Sequence, residues 1–259
     1  MSVSKITIKL TTCSNLFIGG SPTTFEIGGV DAYTVTNAAQ LPYIPSSSYK
    51  GIVRNIVREV SASDVDFQNR ANQIAEAYRQ YLQSAWKQAQ EELERLSINS
   101  NQIESDRMER VKKRYEQVIS KVSAEYLFGI EGFNDTPKLF FNDLEMDDTC
   151  AQKLKKENQV WYSIDSKNNI ENSFENGIPQ VKANPRTYKV VRPGISFSGD
   201  LLLHNLKKLE QSNTGVTEAQ IKAFMVDVID QLNDGIHRVG NSGSRGYGRV
   251  KVEFIGEGN

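Results

Sequence analysis

The sequence predicts an α+β fold, because it combines strand patterns and helix patterns in one chain of 259 residues. Apolar and polar residues alternate at 5–11 and again at 250–254, which is typical of half-buried strands. Between residues 65 and 122, apolar residues instead recur with helical spacing. A chain of this length can bury a sizeable core. We therefore expect a globular protein built from both kinds of element.

Composition and charge exclude several function classes. The formal net charge is −1, which argues against a uniformly basic nucleic-acid binder, so any phosphate site must be local. Cys13 and Cys150 have neither a metal-ligand spacing nor a disulfide framework, which favours a reducing compartment. No apolar run is long enough to span a membrane, and the first residues lack the apolar core of a signal peptide. We expect a cytoplasmic protein with no membrane contact.

The first distinctive stretch joins a glycine turn to a helix. Residues 28–31, with the sequence Gly-Gly-Val-Asp, are typical of a turn that carries one acid, Asp31. A short strand is predicted at 41–44. Three serines follow at 46–48, and serines are natural N-cap residues because their hydroxyls accept hydrogen bonds from free backbone N–H groups. The pattern predicts a helix that begins there and continues to Glu59.

A basic row on this helix predicts a phosphate site. Lys50, Arg54 and Arg58 recur every four residues, and no acid interrupts the sequence between Asp31 and Glu59. A helix start that offers serines, free N–H groups and bases suits a phosphate group. The alternative is a solvated surface helix without a binding role. This stretch by itself favours neither interpretation.

The tract at 65–122 predicts a long helical hairpin. Two runs of apolar residues with helical spacing flank a turn at 97–101. Acidic and basic residues are equal in number between 64 and 123, so this tract is not a phosphate-binding surface. Its aromatic residues are more typical of a core or a subunit contact than of a base-stacking platform. We interpret residues 64–123 as an insertion in a smaller parent domain.

Shorter elements surround a second basic stretch. Gly129 is predicted to end the last helix of the hairpin, and strands are predicted at 139–146 and 195–203. The polar tract at 150–194 has little periodicity, and so long an excursion in a compact domain usually serves a purpose. From 177 to 194 it contains four bases and no acid. They are Lys182, Arg186, Lys189 and Arg192.

A capped helix leads to the third basic stretch, a glycine-rich loop at 240–249. Thr217 and Gln220 have the spacing of a capping box, which predicts a helix that ends near Gly235. The loop glycines are Gly240, Gly243, Gly246 and Gly248. Such glycines let the backbone approach a ligand and present N–H groups to an anion.

Charged and aromatic residues in the loop favour an anionic ligand. Arg245 and Arg249 can add positive charge, and Tyr247 a face for base stacking. The loop leads into a strand rather than a helix, which excludes a dinucleotide fingerprint and a P-loop. The alternative is a loose hairpin without a ligand.

Five motifs, in this order along the chain, resemble those of the RAMP superfamily of CRISPR RNA-binding proteins. The closest likeness is to the repeating backbone subunit of type III effector complexes. The motifs are Gly28-Gly29-Val30-Asp31, the serine–lysine helix start at 41–51 with Arg54, Leu127-Phe128-Gly129, Ala183-Asn184-Pro185-Arg186 and Gly243-Ser244-Arg245-Gly246-Tyr247-Gly248. The resemblance implies a single domain over 1–259, a ferredoxin-like (RRM-like) palm with an extended thumb hairpin within 159–193. The helical hairpin would be inserted in it.

The same resemblance implies a function and its residues. The RNA contacts that it implies are Ser47, Ser48, Lys50, Arg54, Arg186, Gly243, Ser244, Arg245, Gly246 and Tyr247. Asp31 matches the acid that cleaves paired target RNA with a metal, which implies Mg²⁺ or another divalent cation as cofactor. The implied partners are the CRISPR guide RNA, complementary target RNA, copies of this chain and other subunits of the effector complex.

Other functions stay open at this stage. In a purely structural RNA-binding subunit, Asp31 would cap a turn. A guide-processing endoribonuclease would use acid–base groups without a metal, and the two histidines are His204 and His237. A scaffold that binds only protein would have no RNA affinity. The chain also departs from the family pattern at Ser46, where glycine is usual, and at Ala32, where a polar residue is usual.

Overall fold

The computed structural model describes residues 4–20, 30–97, 104–175 and 178–256, with only the backbone described at 93, 96–97, 104–107, 168–175 and 178–185. The chain divides into two compact units. The helical unit comprises Met1–Lys5, Val53–Phe140 and Leu201–Val228. The sheet unit comprises Ile6–Ile52, Phe141–Asp200 and Ile229–Asn259.

Strands and helices are mixed along the described chain. The strands are β1 (Lys5–Thr12), β2 (Ala32–Tyr33), β3 (Tyr43–Ile44), β4 (Lys138–Phe141), β5 (Leu144–Met146), β6 (Tyr162–Glu175), β7 (Ile178–Val191), β8 (Ser196–His204) and β9 (Val250–Ile255). The α-helices are α1 (Ser46–Ser63), α2 (Val65–Ser97), α3 (Glu104–Ser120), α4 (Asp148–Lys156) and α5 (Glu218–Asp230). Short 3₁₀ helices lie at Ala124–Phe128, Leu206–Leu209, Gln231–Asp234 and Gly243–Arg245.

The larger sheet has the strand order β3-β5-β8-β1-β9, and β4 also pairs with β8. The pairs β1–β9, β3–β5 and β5–β8 are antiparallel. Taken in chain order, β1, α1, β5, β8, α5 and β9 follow the β-α-β-β-α-β succession of ferredoxin-like folds. In the sheet these four strands lie in the order β9-β1-β8-β5, which is fourth, first, third and second in the succession. The predicted α+β fold class is confirmed.

Strand β1 shows why the sequence pattern at the N-terminal end is clear. Ile6, Ile8 and Leu10 are each no more than 1% exposed, while the residues between them are half-buried. Successive side chains of a strand point to opposite faces, so one face of β1 packs into the core and the other carries polar groups. The predicted strand at 5–11 is therefore confirmed.

A long β-hairpin dominates the polar tract that follows α4. Strands β6 and β7 pair antiparallel along their whole length, from Tyr162 opposite Val191 to Glu175 opposite Ile178. The short strand β2 pairs parallel with β7, which makes a second, three-stranded sheet. Here the pattern-based expectation of an irregular tract is wrong. The apolar residues of β6 (Tyr162, Ile164, Ile170 and Phe174) do stand at alternate positions, but polar residues interrupt the alternation and weaken the signal.

The helical unit contains the predicted helical hairpin, formed by α2 and α3. Tyr78 is fully buried in α2, and its hydroxyl donates to the carbonyl oxygen of Pro137 at 2.7 Å. Trp86 on α2 and Tyr115 on α3 have ring centroids 5.3 Å apart. The aromatic residues thus hold the two helices together, as expected for a core. The predicted turn at 97–101 lies, beyond Ser97, outside the described residues.

Helix α5 begins with the predicted capping box. The amide N–H of Gln220 donates to the Thr217 hydroxyl at 3.2 Å, and the Gln220 side-chain oxygen accepts from the Thr217 N–H at 2.9 Å. This reciprocal pair satisfies two N–H groups that a helix start leaves free. The helix continues to Asp230 and a 3₁₀ turn ends before Gly235, which has a positive φ of 71°.

Three local expectations need correction. The single strand predicted at 139–146 is two strands, β4 and β5, separated by residues 142 and 143. Gly129 follows a separate 3₁₀ helix rather than α3, and its φ of 103° is accompanied by an extended ψ of 153°. The strand predicted at 41–44 is shortened to β3.

Candidate nucleic-acid interface

Asp31 lies at the edge of the three-stranded sheet, directly before β2. Its carboxylate Oδ2 accepts hydrogen bonds from the backbone N–H of Thr187 at 2.5 Å and from the Thr187 hydroxyl at 3.0 Å. Its own N–H donates to the Thr187 carbonyl oxygen at 3.0 Å. The bonds from Thr187, together with the charge of Arg186, hold the pKa of Asp31 below its usual range. Asp31 is therefore an exposed carboxylate that stays ionised. Gly28 and Gly29 lie outside the described residues.

The start of α1 does not offer all its N–H groups to a ligand. The Ser46 N–H donates to the carboxylate of Asp143 at 2.7 Å, and the Ser48 N–H to the Pro45 carbonyl oxygen at 2.9 Å. The carboxylate of Asp143 thus occupies part of the position predicted for phosphate. Ser47 is exposed, and the ammonium of Lys50 lies 5.8 Å from the centre of the Phe141 ring.

The basic row of α1 is not a continuous cationic surface. The Arg58 guanidinium binds Glu125 through two nitrogens, with Nε 2.7 Å from Oε1 and Nη2 2.6 Å from Oε2. The Arg54 guanidinium stacks over Phe128 at 5.1 Å. The prediction of an uninterrupted basic row is therefore wrong for Arg58, because folding brings in an acid that is remote in sequence.

Two glycines of the loop at 240–249 serve the protein's own packing. A Cβ at Gly240 would lie 2.4 Å from the Phe17 carbonyl oxygen, and one at Gly248 would lie 2.1 Å from that of Val239. Both glycines have a positive φ, at 78° and 76°. Only glycine tolerates this conformation and this closeness without strain. The close approach predicted for a ligand is made by the chain itself.

The loop's backbone N–H groups are also used internally. Those of residues 245, 246 and 247 donate to carbonyl oxygens of the same loop, and that of Gly248 donates to the Asn15 carbonyl oxygen at 2.8 Å. These four N–H groups are therefore unavailable to an anion, and an anion bound here would contact the loop's side chains. Ser244 and Arg245 are both exposed and suit this role, and Gly243 and Gly246 flank them.

Tyr247 is an internal residue of the sheet unit. It is 6% exposed and packs with Phe17 and Val190. Its hydroxyl donates a hydrogen bond to the Asp165 carboxylate, and burial, followed by this acid, raises the pKa of Tyr247. This burial contradicts the base-stacking role predicted for its ring.

Lys167 is a cation near the loop that the sequence analysis missed. Its ammonium lies 3.2 Å from the centre of the Tyr247 ring and 5.3 Å from that of Tyr188. Burial and the charge of Arg245 lower the pKa of Lys167, while Asp165 acts in the opposite direction. No linear motif marks Lys167. Its relation to the site follows from strand pairing, which places it opposite Arg186 in the hairpin.

Cations from separate parts of the sequence thus meet on one side of the hairpin. Cross-strand partners project to the same face of a sheet, so Lys167 and Arg186 share a face. Arg245 is two residues from Tyr247, whose ring carries Lys167. Lys189, three positions from Arg186, projects to the opposite face, where its ammonium lies 4.0 Å from the Tyr162 ring centre. We call Lys167, Arg186 and Arg245 the basic site.

The open face of the larger sheet differs from a base-stacking platform. The residues of β1, β5, β8 and β9 that project to this face bear mainly hydroxyls, carboxylates and amines. They are Thr7, Lys9, Thr11, Glu145, Ser196, Ser198, Asp200, Lys251 and Glu253. Aromatic rings on the sheet are what RNA-recognition folds use to stack bases. These positions carry none, but Tyr43 of β3 stands opposite Glu145 and shares their face.

Other classes of site receive no support within the described ranges. They contain no group of three or more His, Cys, Asp or Glu side chains that could hold a metal ion. None of their helices is both long enough and apolar enough to cross a membrane. His204 stacks on Phe140 at 4.9 Å and contacts the Asn205 amide, which is a structural role.

Comparison with solved structures gives two distant likenesses. A chain of a structure described as the type III-B Cmr-beta bound to cognate target RNA is 15% identical, with a TM-score of 0.48, and the match covers 97% of this chain and 60% of that chain. This chain thus spans less than two thirds of that relative's length. Cmr6 from Pyrococcus furiosus is 17% identical, with a TM-score of 0.43 and 97% and 99% covered. Both likenesses are weak in sequence identity and in TM-score.

The comparison of sequences is more decisive. No curated protein matches the chain. A family model described as the RAMP superfamily, however, matches residues 9–251, which is nearly the whole chain. The resemblance stated from the five motifs is therefore confirmed. The chain belongs to the RAMP superfamily.

Proposed function

We propose that this chain is a guide-RNA-binding backbone subunit of a type III CRISPR effector complex. The observation that carries the proposal is the basic site, where Arg186 and Arg245, from two motifs far apart in sequence, are joined by Lys167. Family membership and the order of the motifs support the same function. The other proposed partners are complementary target RNA, copies of this chain and further subunits of the complex.

The chemistry of the basic site favours contact with RNA phosphates rather than with bases. Arginine and lysine side chains bind phosphate oxygens through charge and hydrogen bonds. Tyr247 is buried, so its ring is not available for base stacking. A guide-binding subunit needs no sequence readout of its own, because base pairing reads the target. Ser47, Ser48, Lys50 and Arg54 stay predicted contacts.

Binding of the full-length chain to single-stranded RNA tests this proposal. Fluorescence anisotropy with two unrelated RNA sequences of equal length should give similar affinities. The logarithm of the affinity should fall linearly with the logarithm of salt concentration, by about 0.7 for each phosphate neutralised on a single strand. An affinity that ignores salt, or no affinity for RNA, would exclude phosphate recognition and favour a scaffold that binds only protein.

Asp31 supports a second proposal, metal-dependent cleavage of complementary target RNA. It is an exposed, ionised carboxylate that lies beside Arg186 of the basic site. Magnesium commonly takes one or two carboxylates and completes its shell with water and phosphate oxygens. Asp31 fits as one such ligand, and a divalent ion bound there would stabilise charge on a phosphate under attack. The hydrogen bonds from Thr187 fix the carboxylate in place, which also suits a purely structural role.

Cleavage assays on the assembled complex separate these two roles of Asp31. The complex, loaded with guide, is given complementary RNA with Mg²⁺ or with a chelator, and wild type is compared with Asp31→Ala. Cuts that need the ion and disappear in the variant, while guide binding persists, support the catalytic role. Cuts that survive the substitution assign Asp31 to the turn, and cuts that survive the chelator favour acid–base chemistry instead.

A further inference from the structure

We propose that Lys167 is a phosphate ligand and that it forms, with Arg186 and Arg245, one site for a phosphodiester group of RNA. This inference rests on the proposed RNA-binding function and adds to it a residue outside all five motifs. It also defines the site as a cluster of three side chains, contributed by both strands of the hairpin and by the glycine loop.

Strand register places two of the three cations side by side. Lys167 on β6 and Arg186 on β7 are cross-strand partners, so their side chains leave the hairpin on the same face. Opposite residues of like charge repel each other, and this arrangement costs stability unless another charge compensates it. A phosphate group placed between them removes that cost.

The surroundings of the Lys167 ammonium are the second argument. Its Nζ is shielded from water but makes no hydrogen bond with any described residue. It lies on the ring of Tyr247 instead, which places it beside the loop that carries Arg245. An ammonium group has three N–H donors, and a ring face satisfies none of them as an oxygen acceptor would. A rotation of the Lys167 side chain away from the ring would let the ammonium donate to a phosphate oxygen.

The acid nearest to this cluster is already engaged. Asp165 accepts hydrogen bonds from the Tyr247 hydroxyl and, at 3.4 Å, from the side-chain amide of Asn15. It holds Tyr247 in place, and together with Asp31 beside Arg186 it compensates two of the three positive charges. The remaining charge favours an anion, and the exposed guanidinium groups of Arg186 and Arg245 leave the site open to a long polyanion.

Substitution of Lys167 in the full-length chain tests the inference through the salt dependence of RNA binding. Lys167→Gln should reduce the slope of log affinity against log salt by about 0.7, because one phosphate contact is lost. Affinity at low salt should fall severalfold. Lys167→Arg should restore the slope. The matched control is Lys189→Gln, which removes the same charge from the opposite face of the same hairpin and should leave the slope unchanged.

The outcomes distinguish this inference from the proposed function. If Lys167→Gln leaves the slope at the wild-type value while Arg186→Gln lowers it, the function stands and Lys167 is not a ligand. If Lys189→Gln lowers the slope as much as Lys167→Gln does, the effect is one of general charge and the assigned site is wrong. If the wild type itself lacks salt-dependent binding, both proposals fail. Thermal unfolding of each variant identifies any loss of affinity that follows from misfolding.

Discussion

Tyr247 of the glycine loop donates a hydrogen bond from its hydroxyl to the carboxylate of Asp165 on β6. This contact connects the loop to the long hairpin, and it explains why a tyrosine expected to stack on RNA is buried. The same ring supports Lys167 from one face. One residue therefore fixes the geometry of the basic site without touching the ligand.

Tyr247→Phe should destabilise the sheet unit while keeping the ring on which Lys167 rests. A hydrogen bond between a hydroxyl and a carboxylate contributes roughly 2 kcal/mol, and its loss leaves Asp165 without its strongest partner. Urea unfolding followed by circular dichroism measures the change. Tyr162→Phe is the matched control, since its hydroxyl has no hydrogen bond to a described residue. Equal stabilities for the two variants would contradict the structural role of Tyr247.

Asp31 should titrate at a lower pH than an ordinary aspartate, because Thr187 and Arg186 stabilise its ionised form. A depressed pKa in the folded protein adds stability above the pKa of the unfolded chain. That stability is lost as pH falls through the lower, folded value. Thr187→Val should raise the pKa of Asp31, since it removes the hydroxyl donor and keeps the backbone one, whereas Thr187→Ser should preserve it. NMR titration of the Asp31 carboxyl carbon measures the pKa in both variants. An unchanged pKa in Thr187→Val would mean that the hydroxyl does not stabilise the ionised carboxylate.

Arg58 should prove unimportant for RNA binding, although it completes the basic row of α1. Its guanidinium forms two hydrogen bonds with Glu125, through Nε and Nη2, so it offers little charge to a phosphate. Arg58→Ala should leave RNA affinity unchanged and lower stability by less than about 1 kcal/mol, as is typical of an exposed ion pair. A loss of affinity as large as that of Arg186→Ala would restore the original interpretation of the row.

Gly248→Ala should be far more harmful than Gly246→Ala, although both glycines have a positive φ of 76° and 88°. Alanine at either position costs roughly 1–2 kcal/mol of backbone strain. At Gly248 the new methyl group would also meet the Val239 carbonyl oxygen, whereas at Gly246 it would meet open space. Overpacking of this kind adds roughly 1–3 kcal/mol. Thermal unfolding of the two variants compares them directly, and equal costs would mean that the loop packs differently.

The sequence predicted the elements whose signals are local. The alternation of β1 and the capping box of Thr217 and Gln220 depend on neighbours within a few residues, and both are present in the structure. The long hairpin gave only a weak signal, because polar residues interrupt its alternating apolar ones and its order depends on pairing between the two strands.

The candidate site was predicted only in part, because its geometry depends on contacts between distant residues. Arg58 lost its predicted role to Glu125, which is 67 positions away. Lys167 gained a role because it stands opposite Arg186, a relation that no linear motif expresses. The glycine loop was recognised correctly as a special backbone, but Gly240 and Gly248 pack against the chain's own carbonyl groups rather than against a ligand.

The most direct test of the central claim is the salt dependence of RNA binding by the double variant Arg186→Gln/Arg245→Gln. Its matched control is Arg58→Gln/Lys189→Gln, which removes the same net charge from elsewhere. Phosphate binding at the basic site predicts that the first variant loses about 1.4 in the slope of log affinity against log salt, two contacts at about 0.7 each, while the control keeps the wild-type slope. Identical slopes for the wild type and both variants would contradict the account.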